Sequence, residues 1–117
     1  MVSPVLSLDV DASCSESGTR ISREEDRTVV WLSGAHDLVT VSAVTAALAS
    51  AVSQDHADVI VDLSGVTFID AVTTEVLTRC KRLLQAHTRG LVLRAPSPAT
   101  RILLEVHGLV DLVEPEA

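Results

Sequence analysis

The sequence predicts an α/β fold in which parallel strands alternate with helices packed mainly on one face of the sheet. Runs rich in β-branched residues alternate with apolar segments of helical period, in the order strand–helix–strand–helix–strand–helix, which implies crossovers between parallel strands. Two of the strands carry a charge, Asp62 and Arg94, in the phase opposite to their apolar residues. A parallel sheet buried on both faces would read as continuous apolar runs, so one face is expected to be at least partly wet. The length of 117 residues suits one compact domain.

Each element has its own signal. Val5 to Val10 is a short apolar stretch, and residues 11–20 are small, polar and without period. Residues 1–20 are therefore expected as an N-terminal strand and polar loop, and 21–117 as the main domain. Ile21 to Asp26 is expected as an edge strand, with a turn in Glu24-Glu25-Asp26-Arg27. Thr28 to Ser33 (Thr-Val-Val-Trp-Leu-Ser) is β-branched and aromatic, a strand that Gly34 closes.

Val41 to Gln54 has helical period, with Val41, Val44, Leu48, Ala51 and Val52 on one face and Thr40 or Ser42 as its cap. Asp58 to Leu63 is the next strand: Val59, Val61 and Leu63 point one way, and Ile60, Asp62 and Ser64 the other. Gly65 to Asp70 is expected as a turn. From Ala71 to His87 a helix follows, its apolar stripe made of Val72, Val76, Leu77, Cys80, Leu83 and Leu84, with Gly90 at its stop. Leu91 to Ala95 is a third strand, and Ala99 to His107 a last helix ended by Gly108. Leu48, Val61, Leu63, Val76 and Leu83 are the expected core. If their strands are neighbours in register, Asp62 and Arg94 pair across them.

Composition excludes several classes. Hydrophobic residues make up 47% of the chain, which excludes disorder over most of its length. The net charge of −7 argues against nucleic acid as a direct partner. With aromatics at 2% and no Tyr, the stacking platforms of a single-strand binder are missing. The charge is unevenly spread: residues 1–70 hold 11 acids and 3 bases, whereas residues 71–117 hold 5 acids and 6 bases. That asymmetry suits solvated faces or the orientation of a charged protein partner.

Met1 to Val10 lacks the charged start and long apolar centre of a secretory signal, and Leu38 to Val52 is too short and too polar to span a membrane. Cys14 and Cys80 make no disulfide framework and fit a reducing compartment. A cytoplasmic protein without membrane attachment is expected. Cys80 lies on an apolar stripe and reads as a buried thiol; Cys14, in the polar loop, is more accessible.

Chemistry is sparse. His36, His56, His87 and His107 fall in different elements, and the two cysteines are 66 positions apart, so no zinc spacing exists. No phosphate-binding glycine motif and no nucleophile elbow occur. No metal or cofactor is implied, and an enzyme is not expected. One segment stands out, Asp62 to Glu75. Asp70 stands where a helix begins and is a candidate N-cap, with Thr73, Thr74 and Glu75 in the first turn. It reads either as simple capping or as an exposed docking or modification site with reachable hydroxyls.

Four blocks carry a resemblance: Val30-Trp31-Leu32-Ser33-Gly34-Ala35-His36-Asp37; Val59-Ile60-Val61-Asp62-Leu63-Ser64-Gly65-Val66; Phe68-Ile69-Asp70; and Ser97-Pro98 through Arg101 and Leu103 to Gly108-Leu109. In this order and spacing, over residues 21–113, the chain resembles STAS domains of the bacterial anti-sigma factor antagonist family. The resemblance implies a STAS-type mixed β-sheet. It also implies a non-enzymatic module that binds an anti-sigma factor, usually of the kinase type, and so releases a sigma factor. Family members are switched off by phosphorylation of a Ser at the start of the helix after the Phe-x-Asp block, because a phosphate adds ~1.5 to 2 negative charges at the contact surface. The implied partner-binding residues are Asp37, His36, Asp70, Ala71, Thr73 and Thr74.

The chain departs from the family at the switch. Ala71 stands where the family has the phosphoacceptor Ser, Val72 where some members place a second hydroxyl, and Thr73 where Gly is common. Three readings stand: an antagonist that this route does not silence, one that uses Thr73 or Thr74 instead, or a non-phosphorylatable scaffold in the same signalling system. Two readings come from other classes. One is a STAS-type sensor of a small ligand such as a nucleotide, for which the isolated glycines offer no cradle. The other is a phosphotransfer enzyme using Asp37 or Asp70, which would need a larger carboxylate cluster. The oligomeric state is not legible in the sequence.

Overall fold

A two-residue turn, Glu25-Asp26, folds the first two strands onto each other. In this computed structural model, which describes residues 18–54 and 57–114, β1 (Gly18–Glu24) runs antiparallel to β2 (Arg27–His36). There follow α1 (Val41–Gln54), β3 (Val59–Ile69), α2 (Ala71–Ala86), β4 (Leu91–Arg94), α3 (Pro98–Val106) and a 3-10 turn over Val110–Leu112. The strands lie in the order β1-β2-β3-β4, with β2, β3 and β4 parallel, so the sheet is mixed. Beyond β4, Val113 forms a single parallel bridge to Leu93, and the Glu114 N–H donates to the Leu93 carbonyl at 2.8 Å. That pairing covers part of an edge that would otherwise present bare backbone groups.

One apolar cluster joins sheet and helices. Val30, Val61 and Leu93 lie side by side on three strands, and Val44, Leu48, Ala51, Leu77, Leu84 and Leu104 close over that face from the three helices. The helices share one face, as the charge phase in the strands predicts. Among the expected core residues, Leu48, Val61 and Leu63 are buried, and Val76 packs partly buried against the cluster.

The opposite face carries a polar row in register: Arg20, Trp31, Asp62 and Arg94, one from each strand. Arg94 donates from Nε to Asp62 Oδ2 at 2.7 Å and from Nη1 to Glu24 Oε1 at 2.9 Å, so it reaches from β4 to β1. On the way its guanidinium lies 5.0 Å from the centroid of the Trp31 ring, and that of Arg20 lies 4.7 Å from it. The indole N–H donates to Ser22 Oγ at 2.7 Å, which satisfies the one polar atom of the ring.

Several boundaries differ from the sequence expectation. Residues 18–20, read as loop, belong to β1 because they pair with Ser33, Leu32 and Trp31. Gly34 does not end β2, which continues to His36, and 65–69 is strand rather than turn. Both extensions have one cause. The β2–β3 register shifts twice, between Trp31 and Ser33 and between Gly34 and Ala35, each time with one extra residue on β3. These bulges keep the two strands paired past the point where the alternation of side chains breaks down. Glycine serves them at two places. Gly34 has φ +79°, and a Cβ on Gly65 would stand 3.2 Å from the Ser33 Cβ.

In α2 the expected stripe is wider than the buried arc. Leu77, Cys80 and Leu84 are buried with Thr73 and Thr74, whereas Leu83 is 49% and Val72 36% exposed. Leu83 was an expected core residue, but it sits ~100° around the helix from Leu84. The threonines fill the arc instead because their hydroxyls bond within the helix start: Thr74 Oγ1 donates to the Ala71 carbonyl at 2.8 Å. The helix closes at Thr88, with φ +56°, and the Arg89 N–H donates to the Leu84 carbonyl at 2.8 Å, so Gly90 follows the stop rather than making it. Ser97 caps α3, its Oγ accepting from the Thr100 N–H at 3.2 Å. The apolar stretch Val5 to Val10, Cys14, His56 and residues 115–117 lie outside the described residues.

Candidate functional site

The carboxyl ends of β2 and β3 lie side by side, His36 opposite Ile69, and the Asp70 N–H donates to the His36 carbonyl at 3.2 Å. This juxtaposition brings the Asp37–Thr40 loop against the start of α2, two segments more than thirty positions apart in sequence. Ligand and partner sites in α/β sheets concentrate at such strand ends.

Each carboxylate is oriented by its own backbone. Asp37 Oδ1 accepts from the Val39 N–H at 2.9 Å, and the Thr40 N–H donates to the Asp37 carbonyl at 3.1 Å, which makes a tight loop. Asp70 is the N-cap of α2, with Oδ1 accepting from the Thr73 N–H at 3.0 Å and from the Thr73 hydroxyl at 3.1 Å. Thr40 precedes α1 as expected of a cap, but its hydroxyl turns back into the loop, where it accepts from the Asp37 N–H at 3.1 Å.

Beneath the loop lies His36, only 1% exposed. Its Nε2 is 2.9 Å from the Ser33 carbonyl, an acceptor only, so Nε2 carries the proton and donates. Nδ1, 3.1 Å from the Thr40 hydroxyl, then accepts from it. Burial lowers the pKa of the ring below its ordinary value, outweighing the Ser33 carbonyl and the Asp37 charge, which favour protonation. His36 is thus a neutral strut that ties the loop to β2.

Of the six residues the sequence assigns to a partner surface, the structure exposes Ala71 and leaves Asp37 and Asp70 half-buried at the rim. His36, Thr73 and Thr74 are buried. The expectation of reachable hydroxyls at this helix start is therefore corrected. Thr73 lies ~200° around the helix from Ala71, which turns it into the protein interior. Near these strand ends three residues that the sequence reading leaves out are exposed: Leu38 at 70% and Val39 at 85% in the loop after β2, and Phe68 at 52% in β3. Their signal was present, as two consecutive apolar residues after a loop aspartate and the only Phe of the chain.

Elsewhere, Cys80 is buried under α2, and desolvation pushes its thiol up to about 11 despite the nearby Arg89 charge, so it stays protonated at neutral pH. Among the described residues no three His, Cys, Asp or Glu side chains converge as metal ligands would. No described helix is long and apolar enough to cross a membrane.

Among the described residues, a mixed four-stranded sheet with three helices packed on it, and a capped helix start at the strand ends, defines a small α/β domain. The family model described as Mlab, STAS domain matches residues 19–114, and the chain belongs to the STAS domain family. A search of the curated proteins finds no match. Among solved structures, an anti-sigma factor antagonist from Mycobacterium paratuberculosis is similar over 90% of this chain and 91% of its own, at 28% identity and a TM-score of 0.76. The anti-sigma factor antagonist SpoIIAA in its unphosphorylated form is similar over 86% of this chain and 89% of its own, at 20% identity and a TM-score of 0.75. The Bacillus cell fate determinant SpoIIAA in its phosphorylated form gives 20% identity and a TM-score of 0.69 over 86% of this chain and 92% of its own. At 20% identity the two SpoIIAA likenesses speak to the fold alone. The anticipated STAS-type mixed sheet is the fold observed.

Proposed function

We propose that this domain is a cytoplasmic, non-enzymatic anti-sigma factor antagonist, which binds an anti-sigma factor of the kinase type and so frees a sigma factor. The likeness to the mycobacterial anti-sigma factor antagonist supports the class. The observation that carries the reading is Ala71. It is exposed as the first residue of α2, directly after the capping Asp70. The partner meets this surface through Asp37, Asp70 and Ala71, with Leu38, Val39 and Phe68 as its apolar contacts. His36, Thr73 and Thr74 serve it from below by holding the loop and the helix start.

Because the methyl group of Ala71 occupies the place of the family's phosphoacceptor, the antagonist is not silenced by phosphorylation there. The burial of Thr73 and Thr74 favours this over a switch moved to either threonine. The test is incubation of wild type and Ala71→Ser with a kinase-type anti-sigma factor of the same organism and labelled ATP, alongside calorimetric binding. Binding by both proteins and label on the variant alone is the expected result. Efficient labelling of wild type at Thr73 or Thr74 overturns the constitutive reading, and no binding by either protein overturns the antagonist reading.

A further inference from the structure

The sheet has two unlike edges. The Val113 bridge covers part of the β4 edge, whereas β1 forms the other, and among the described residues no backbone group pairs with its outer side. A strand so placed offers a row of unpaired N–H and C=O groups to another strand. Arg20, Ser22 and Glu24 alternate onto the polar face of β1. Arg20 stands over the Trp31 ring and has no acidic partner among the described residues. Glu24 is held by Arg94, yet its side chain is still 43% exposed.

The charges on this edge select an occupant and a register. Two copies of β1 meeting edge to edge about a twofold axis pair antiparallel, and residues of the same alternation phase then lie opposite each other. Opposite charges across such a pair stabilise it, and like charges destabilise it. With Arg20 or Arg23 at the centre, each meets its own copy. With Ile21 at the centre no two charges are opposed. With Ser22 at the centre, Arg20 of each copy lies opposite Glu24 of the other, twice by symmetry. Arg23 then lies opposite Ile21 on the other face, with the two Arg23 residues on the diagonal, about 7–8 Å apart.

The helices fit the same pairing. α1 packs over β1 and β2, and α2 toward β4. A copy joined at β1 brings its own α1 antiparallel to this one, two strand spacings or ~10 Å away, the interaxial distance of packed helices. The α2 side of α1 carries Thr45, Ala49 and Val52, and roughly half a turn around the helix lie Ala43, Ala47 and Ser50. Those three are small, and α1 has no charged residue in its 14 positions, so no charge is desolvated by close approach. We infer that a second copy of this chain pairs with β1 in an antiparallel twofold dimer centred on Ser22, with Arg20 and Glu24 joined across it and the α1 helices packed together. This holds whichever protein meets the strand-end surface.

Sedimentation velocity of the full chain at low salt and submillimolar concentration is expected to show a dimer that weakens with added salt. Arg20→Glu and Glu24→Lys each set like charges opposite one another and are expected to weaken it at least about tenfold. Mixing the two variants restores a dimer, because unlike charges then face each other again. Glu24→Lys also meets Arg94, so a second measurement leaves the charges alone. In a Cys14→Ser background, Ser22→Cys forms a disulfide-linked dimer under mild oxidation, since residue 22 faces its own copy within disulfide reach. Thr19→Cys, distant from its copy in this register, does not, and the buried Cys80 takes no part. A dimer indifferent to Arg20→Glu, or captured as readily by Thr19→Cys as by Ser22→Cys, overturns the proposal. A monomer under all conditions also overturns it, and protection of the outer β1 amides from hydrogen exchange would then assign the edge to residues 1–17 of the same chain.

Discussion

Asp62 and Arg94 stand opposite each other on adjacent parallel strands, with the guanidinium Nε 2.7 Å from the carboxylate Oδ2. The aspartate is 5% exposed and also accepts from the Ser64 N–H and hydroxyl. Desolvation pushes its pKa up, but the hydrogen bonds from Ser64 and Arg94 outweigh it and hold the carboxyl below its ordinary value. Arg94 also holds Glu24 below its ordinary value, chiefly by their hydrogen bond. Carboxyls lowered on folding stabilise the protein above ordinary carboxylate pH, and that contribution is lost as pH falls through their folded values.

Replacing the arginine tests this arrangement. Arg94→Met leaves the Asp62 charge with Ser64 alone and is expected to cost about 1–3 kcal/mol at neutral pH. Arg94→Lys recovers only part of it, because an ammonium lacks the fork that reaches two carboxylates. Chemical denaturation at pH 7, and acid unfolding followed by Trp31 fluorescence, check both claims. A variant as stable as wild type at pH 7, with the same acid midpoint, refutes them.

Neighbouring leucines of α2 separate the core from the surface. Leu84→Ala, at a site with no exposure, is expected to cost ~2–5 kcal/mol, and Leu83→Ala, half exposed, less than about 1 kcal/mol. Thermal or urea unfolding of the two variants gives the comparison. Similar losses for both would mean that the helix face is wrongly assigned.

At Asp70 the cap and the charge are separable. Asp70→Ala removes the acceptor for the Thr73 N–H and hydroxyl and is expected to cost ~0.5–2 kcal/mol. Asp70→Ser keeps a capping oxygen without the charge and should stay within a few tenths of a kcal/mol of wild type. A drop in partner affinity for Asp70→Ser at unchanged stability assigns the carboxylate itself to the interface. Unchanged affinity assigns it to capping alone.

His36 sets a second pH dependence. Its folded pKa lies below its ordinary value, so the unfolded chain takes up the proton first as pH falls. Its contribution to stability is complete above about pH 6.5 and declines below that until the folded ring also protonates. Denaturation series at pH 7.5 and 5.5 should show a smaller loss in His36→Gln than in wild type. A loss of equal size in both would show that the ring is not what titrates.

Most of the architecture is determined by the sequence alone. The β-branched run 28–33, the α1 period over 41–54 and the capping Asp70 are local signals, and the physics that makes them elements acts within a few residues. The charged phase of the strands likewise told in advance that Asp62 and Arg94 share the wetter face. Tertiary structure alone decided the rest. Residues 65–69 pair as strand because β2 lies beside them and bulges absorb the mismatch; Val66-Thr67-Phe68-Ile69 carries strand propensity, but Gly65 in front of it reads as a turn and nothing local announces the shifted register. Thr73 and Thr74 are buried while Leu83 and Val72 are not, because the buried arc of a helix is set by what packs on it and by whether its hydroxyls bond inward. The candidate surface shows the same division. Asp70 was legible as a cap, and Asp37 and Ala71 were named only by the family resemblance; that the loop after β2 lies against the start of α2 follows from two strand ends distant in sequence meeting in register, a contact between segments that no local pattern encodes.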